Sequence, residues 1–361
     1  MSIRNSALDH LRGLAVFLMI LVNLPGSWGN MYSPLKHAKW DGITVADIVF
    51  PIFLWVVGYS ILLSFQKNQI QTNNNYTLKI FYRSFILIGL GIFLSLFPKF
   101  DFEHFRIPGV LQRIGFCYFI FAMSLKYFGV KKTFYWIISI SILISIINVH
   151  WNYAFSHFSF IPIPIKDTIG AKLDRFLFGE HLWNETKFYD PEGFITSISA
   201  LLSVSLGAFA AYQESQKNSI YRIIWKFIFY LAVGFVLYLE FPPNKTNWNL
   251  TFVFLTTCVI ELMYLFFQSC SKVDSLNLLN QLWKFLFLDL SQYALSLFLI
   301  YGIITRTTHF ILLRKEIVSI LSTALQNPNL ASLFFSIMMF IWTLIFLKIW
   351  KDLRKIVSPK S

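Results

Sequence analysis

The residues best suited to chemistry lie early in the chain. His37 sits between Lys36 and Lys39, is followed by Trp40, and shares one short stretch with Asn23, Asp41 and Asp47. Among these side chains, imidazole is the one whose ordinary pKa of about 6.5 allows it to take up and release protons near neutrality. The segment that carries it, LPGSWGNMYSPLKHAKWDGITVADIVFPIF, begins as a turn-rich loop and ends in an apolar run. Asp47 has two readings. Thr44-Val45-Ala46-Asp47 fits a capping box, with Thr44 at the N-cap and Asp47 three residues on, and a role in a reacting site is equally open. Pro51 follows inside the same run and frees a backbone carbonyl there. Asn23 also has two readings, since a buried amide can serve a reaction or simply join two helices.

Further expensive groups are spread along the chain. Asp9 and Arg12 in LDHLRG are three apart, the spacing of a helical ion pair. Arg12 and Asn23 are eleven apart, about three turns, which puts both on one helix face about 16 Å apart along the axis. RIPGVLQRIG sets Pro108 at a helix start and carries Gln112 and Arg113 into an apolar span, where Arg113 needs an anion or water. YDPEG reads as a helix entrance, with Asp190 as N-cap, Pro191 at the first position and Glu192 in the first turn. PPNKTNW brings Asn244, Lys245 and Trp248 to the start of another span, where Lys245 snorkels or meets an acidic group. Glu261 and Asp289 lie deeper, with Lys226 and Lys284 as possible partners. Cys117, Cys258 and Cys270 have neither disulfide nor metal spacing, so no metal is expected.

The elements that must position these residues follow from composition. The 361 residues are 56% apolar and only 14% charged, with a mean hydropathy of +0.59. A soluble domain carries roughly 25% charged residues, so there are too few here to coat a water-facing surface. Apolar stretches of about 18 to 22 residues recur, each long enough to cross a hydrocarbon core as a helix. They fall at about 9–25, 45–65, 80–97, 108–128, 132–149, 193–212, 221–240, 248–268, 283–304 and 331–350, with an amphipathic piece at about 310–325. The fold class expected is therefore all-α, a polytopic bundle of about ten membrane helices forming a single domain over 1–361. Region 151–191 is expected as a structured loop on the outer face.

The formal charge of +13 belongs to topology and not to nucleic acid. Lys67, Lys79, Arg83, Lys126, Lys131, Lys132, Lys217, Arg222 and Lys272 cluster in alternate connections, and Lys348, Lys351, Arg354, Lys355 and Lys360 near the C-terminus. Both termini are therefore expected in the cytoplasm, with the loop Pro25–Thr44 on the outer face. The first apolar run contains Asn23 and no small-residue cleavage site, so it reads as a retained helix.

The blocks LDHLRGLAVFLMILVN, LKHAKWDGITVADIVFPIFLWVVG, RIPGVLQRIG, YDPEG and PPNKTNW resemble, in order and approximate spacing, the heparan-α-glucosaminide N-acetyltransferase family and its bacterial relatives. The resemblance runs from residue 4 to about 260. It weakens afterwards: DLSQYALS at Asp289–Ser296 stands where the family has a Gly-Met-Asn-like element. The resemblance implies a transmembrane acetyltransferase of the bacterial inner membrane, using acetyl-CoA as co-substrate and an amino-sugar or glycan acceptor across the bilayer. It implies His37 as the catalytic residue and Asn23 beside it, with Asp47 added. Arg12 is then expected at the CoA phosphates, with Gln112, Arg113 and Lys245 as further binding residues. A carrier for a small anion or sugar is the competing class, and a homodimer is compatible with so many aromatics.

Overall fold

The computed structural model describes residues 5–70, 75–159, 168–216, 220–272 and 277–357. The polar stretch Gln69–Asn75 and the region 151–191 fall partly outside them, as do Lys217 and Lys360. Twelve α-helices and one short 3-10 turn make up the described residues, which contain no strand. The helices are α1 (Ser6–Asn23), α2 (Val45–Ile70), α3 (Tyr76–Leu96), α4 (Val110–Ser159), α5 (Ile169–Phe178) and α6 (Phe194–Ser215). Then come α7 (Ile220–Tyr238), α8 (Leu250–Lys272), α9 (Asn277–Gln292), α10 (Ala294–Ile304), α11 (Thr308–Leu325) and α12 (Pro328–Val357).

Seven of these are long and apolar enough to cross a membrane by themselves. Helix α4 is two arms joined at Gly129, whose φ of 70° breaks the ladder where a residue without Cβ is tolerated. The bent pair α9–α10, taken as one span, makes eight, and the second arm of α4 and the shorter apolar segment Ile224–Tyr238 are compatible with the about ten expected. Inside a bilayer the backbone must satisfy its own hydrogen bonds, so a chain this apolar is forced into helices throughout.

Three local differences from the sequence reading have physical causes. The fifth span does not stop near 149 but continues as helix to Ser159, and α5 forms within the region read as a loop. The ninth span is bent by 81° between Gln292 and Ala294, inside DLSQYALS, whose polar residues Asp289, Ser291 and Gln292 interrupt the apolar run there. Helix α6 begins at Phe194 with Gly193 at its N-cap, not at Pro191 with Asp190 as cap.

The chain divides into two compact units. The first holds residues up to Ala38, Thr44–Ile52 and Leu262 onward; the second holds Lys39–Ile43 and Phe53–Glu261. In the first, α1 packs against α9 and α12, and α11 lies on α12. In the second, α4 is the hub, packed on α3 and α6. There α2 and α6 approach closely through glycines: a Cβ on Gly58 would strike the backbone of Val204, and one on Gly207 the backbone of Trp55. Small residues let two helices gain dispersion contact that lipid could not replace.

Candidate functional site

In the first unit, the side chain of Asp47 is 1% exposed and carries four hydrogen bonds. Its Oδ1 lies 2.8 Å from His37 Nδ1, and its Oδ2 accepts from the Ala38 N–H at 3.0 Å, the Thr44 N–H at 3.2 Å and the Thr44 hydroxyl at 2.9 Å. A carboxylate that accepts from three other donors faces Nδ1 as an acceptor too. In the neutral ring, an Nδ1–H donated to it leaves the lone pair on Nε2. The imidazole itself is 47% exposed. Its anchor is dry while the ring is about half exposed.

The same carboxylate caps α2. The Thr44 N–H reaching Asp47 is one half of a capping box, while the Asp47 N–H turns to the Thr44 carbonyl at 3.1 Å. One oxygen of Asp47 thus helps to start the helix and the other holds the imidazole.

The loop that delivers His37 is tied at its beginning as well. Gly26 N–H donates to the Ser332 carbonyl at 3.2 Å, Ser27 N–H to Ser332 Oγ at 3.0 Å, and Ser336 Oγ to the Leu24 carbonyl at 3.0 Å. Gly26 is required here, because a Cβ would meet Ser332 Cα at 2.9 Å and Val318 Cγ2 at 2.7 Å. Further along, Lys36 Nζ donates to the Gly29 carbonyl at 3.1 Å after the 3-10 turn Ser33–Leu35. Asn23 is the last residue of α1 and its side chain is exposed. Nδ1 of His37 is held by Asp47 and not by Asn23. At the other end of α1, Arg12 pairs with Asp9 at 3.4 Å and is 28% exposed.

The second unit holds a separate polar layer. Arg106 forks onto Asp190, with Nε to Oδ2 at 2.8 Å and Nη2 to Oδ1, and Nη2 also meets Glu192. Asp190 is spent on this fork and on the Glu192 N–H, which explains why it does not cap α6. The cap is supplied by Asp174 of α5, which accepts the Phe194 N–H at 2.9 Å and the Asp190 N–H at 3.4 Å. Gly193 allows this approach, since a Cβ there would collide with the Asp174 carboxylate. Burial pushes the Asp174 carboxyl up to about 6, against the pull of the Phe194 N–H. Glu192 moves the other way: burial opposes its charge, but Arg106, Arg113 and Lys245 together hold it below the usual carboxylate range.

Arg113 is 2% exposed, so it does not present its charge at a surface. It donates to Ser197 Oγ at 3.1 Å, Thr196 Oγ1 at 2.5 Å and the Pro191 carbonyl at 2.7 Å, and lies over the Trp248 ring at 5.0 Å. Trp248 in turn donates to Ser203 at 3.1 Å. Gln112 packs its amide against the backbones of Gly91 and Gly109. Residues 39–43 join this layer, because the Gly42 N–H donates to the Pro243 carbonyl at 2.8 Å and Asn244 Nδ2 to Asp41 at 3.1 Å. Lys245 is partly exposed on the same turn.

Glu261 pairs with Lys226 at 2.9 Å, one of the partners open to it, whereas Asp289 pairs with Lys351. Two residues escaped the sequence reading. Arg106 opens the RIPG block and its position beside YDPEG is a matter of folding. His10 lies within LDHLRG yet is wholly buried, 5.6 Å from the Phe267 ring. Among the described residues, no three His, Cys, Asp or Glu side chains are grouped to hold a metal, and the three cysteines are buried.

Helical spans of this number define a multi-pass membrane protein of the all-α class. A family model described as heparan-alpha-glucosaminide N-acetyltransferase, catalytic, matches residues 4–174. The mouse heparan-alpha-glucosaminide N-acetyltransferase is 29% identical over 320 residues, covering 71% of this chain and 47% of the mouse protein. The human protein of that name is 42% identical over 127 residues, 33% of this chain and 19% of its own length. The chain thus spans about half the length of the mouse relative it matches and about a fifth of the human one. Together these matches make the chain similar to heparan-α-glucosaminide N-acetyltransferases, most clearly over its first half.

Proposed function

We propose that this chain is a transmembrane acetyltransferase that moves an acetyl group from acetyl-CoA to the amine of a glucosamine-type sugar, with His37 as the reacting base. The observation that carries the proposal is the 2.8 Å contact between His37 Nδ1 and the buried Asp47 carboxylate, within the segment matched by the catalytic family model. With Nδ1 committed, Nε2 has two courses. It can take the proton of the acceptor amine while the amine nitrogen attacks the thioester carbonyl: the N–C bond forms, the C–S bond breaks, and the departing thiolate receives a proton. Alternatively Nε2 attacks the thioester itself, expels the thiolate, and hands the acetyl group to the amine in a second step.

Asn23 is assigned the oxyanion of the tetrahedral intermediate, and Arg12 the CoA phosphates at the opposite end of α1. Lys245 is assigned to an anionic part of either substrate. Arg113 and Gln112, engaged as described, enter as positioning residues. The acetyl donor is cytoplasmic, both termini lie on that side, and the acceptor meets the loop 25–44 on the other, in a bacterial inner membrane.

The test is release of CoA by the purified protein from acetyl-CoA, against a panel of amino sugars, with His37→Ala beside the wild type. Loss of release in the variant supports the assignment; wild-type release from His37→Ala overturns it. Labelled acetyl retained on the protein without acceptor, and lost in His37→Ala, selects the two-step course. The orientation has its own test. Because the native cysteines are buried, a reporter at Asn30→Cys should react with an impermeant maleimide in intact cells, and one at Asp352→Cys only after permeabilisation.

A further inference from the structure

Helix α11 is out of keeping with a packed bundle. It runs through Phe310, Ile311, Leu312, Leu313 and Ile317, yet has no buried residue, and Leu312, Leu313 and Ile320 are more than half exposed. Beneath it, between α10, α11 and α12 of the first unit, lies an open cleft of about 520 Å³. That volume is within the roughly 300–1,000 Å³ of sites that take small molecules. Its walls are aliphatic and aromatic, and its two hydroxyl groups, Tyr301 and Thr343, bond to each other.

One charge lines the cleft, Arg314. Its Nε is buried and has no hydrogen-bond partner, and no carboxylate is among the lining residues. A buried guanidinium N–H without an acceptor is costly, and a guanidinium presents a fork that matches phosphate oxygens. Arg306 and Lys315 add positive charge on either side of it in sequence. An apolar cleft with a cation at its wall has the chemistry of an acyl chain joined to a phosphate.

We propose that the cleft between α10, α11 and α12 is a binding site for an anionic phospholipid, whose acyl chain fills the apolar cleft and whose phosphate is held by Arg314. The site is independent of the His37 chemistry, being formed wholly from α10 onward. The lipid would complete the packing that the protein leaves open and fix α11 against α12.

Native mass spectrometry on the full chain, purified in mild detergent and offered phosphatidylglycerol or diacylglycerol, which has the acyl chains but no phosphate, reads this directly. The wild type is expected to retain one phosphatidylglycerol about tenfold better than diacylglycerol, the ratio of one charge-assisted hydrogen bond. Arg314→Gln removes the preference, and Met338→Trp, which fills the cleft without touching the charge, removes the bound lipid altogether. If either variant fails to fold, the other carries the test alone. Equal retention of the two lipids by the wild type, or retention unchanged in the variants, overturns the proposal. So does a Leu313→Cys chain that cross-links to a second copy with no lipid present, since the apolar face would then be a protein contact.

Discussion

Replacing Asp47 by Asn is the sharpest perturbation of the proposed chemistry, because it conserves shape and removes charge. Asp47 accepts from four donors, two of them on Thr44 and one each on Ala38 and His37. Asn offers a single acceptor oxygen, and its amide is itself a donor. If that oxygen stays with Ala38 and Thr44 to preserve the start of α2, the NH2 faces His37 Nδ1. The imidazole then accepts at Nδ1 and carries its proton on Nε2, which is the wrong tautomer for a base. The loss should approach the full contribution of a positioned base, roughly 10²–10⁴ in the rate of CoA release. Stability should fall by about 1–3 kcal/mol, the cost of leaving a buried donor unmatched. The assay is single-turnover CoA release with saturating acceptor, run with a thermal melt on the same preparation. Because Asp47 acts through the ring, the double variant with His37→Ala should be no slower than His37→Ala alone. An Asp47→Asn protein that folds and retains release within about threefold of wild type would refute the tautomer argument. A double variant much slower than His37→Ala would refute it too, by giving Asp47 a role of its own.

Five further outcomes are expected from the same contacts. Asn23→Ala should lower the turnover rate by about 10²–10³ with little change in acceptor KM, if its amide meets the oxyanion; equal rates in the two proteins would remove it from the site. Arg106→Ala strands Asp190 and Glu192 without their cation and should cost about 3–5 kcal/mol, read as a lowered melting temperature, with Arg106→Lys milder. Asp174 makes stability depend on pH in a definite direction. Its folded pKa of about 6 lies above the ordinary 3.8, so the folded state holds the extra proton, and the contribution is full below pH 4 and lost as pH rises through 6. The two-unit difference is worth about 3 kcal/mol at most, and Asp174→Asn should flatten melting temperature against pH in that window. Glu192, held low, acts in the opposite sense and only in acid: its stabilisation is present above the ordinary carboxylate pKa and is lost as pH falls through its folded value. Gly207→Leu should separate α2 from α6 and reduce the yield of folded protein, because no rotamer keeps its Cβ off the Trp55 backbone.

Nearly all of the helical architecture was legible in sequence, because hydrocarbon thickness fixes the length of an apolar run and the bilayer forbids other backbone states. What escaped was irregularity inside a single span. The 81° bend at Tyr293 falls inside a run read as one span, where Asp289, Ser291 and Gln292 do not by themselves mark a break, whereas Lys126, Lys131 and Lys132 do mark the break between the two arms of α4. The polar residues were legible as individuals but not as pairs. YDPEG has the sequence of a helix entrance, yet Arg106, more than eighty residues earlier, draws Asp190 away, and Asp174 takes over the cap. A capping signature counts local donors only. It cannot register a guanidinium that arrives by folding. The burial of Arg113 was hidden for the same reason: its partners Thr196, Ser197 and Trp248 are supplied by distant parts of the chain.

The His37 block escapes that difficulty because its long-range term is short. Ten residues separate His37 from Asp47, and the loop between them must turn back so that the imidazole reaches the first turn of α2. Ala38 places a backbone N–H on the same carboxylate as the ring, so the turn and the tautomer are set by one side chain. Thr44 adds two donors from the helix start, which brings the donors around that buried side chain to four. The capping box is therefore more than a helix signal here. It also holds the imidazole, so the start of α2 and the orientation of the His37 ring are set by one side chain. A substitution such as Thr44→Val, which keeps volume but removes one of the four donors, should consequently disturb both measurements together: a lower melting temperature and a slower release of CoA. Movement of one without the other would separate the cap from the base.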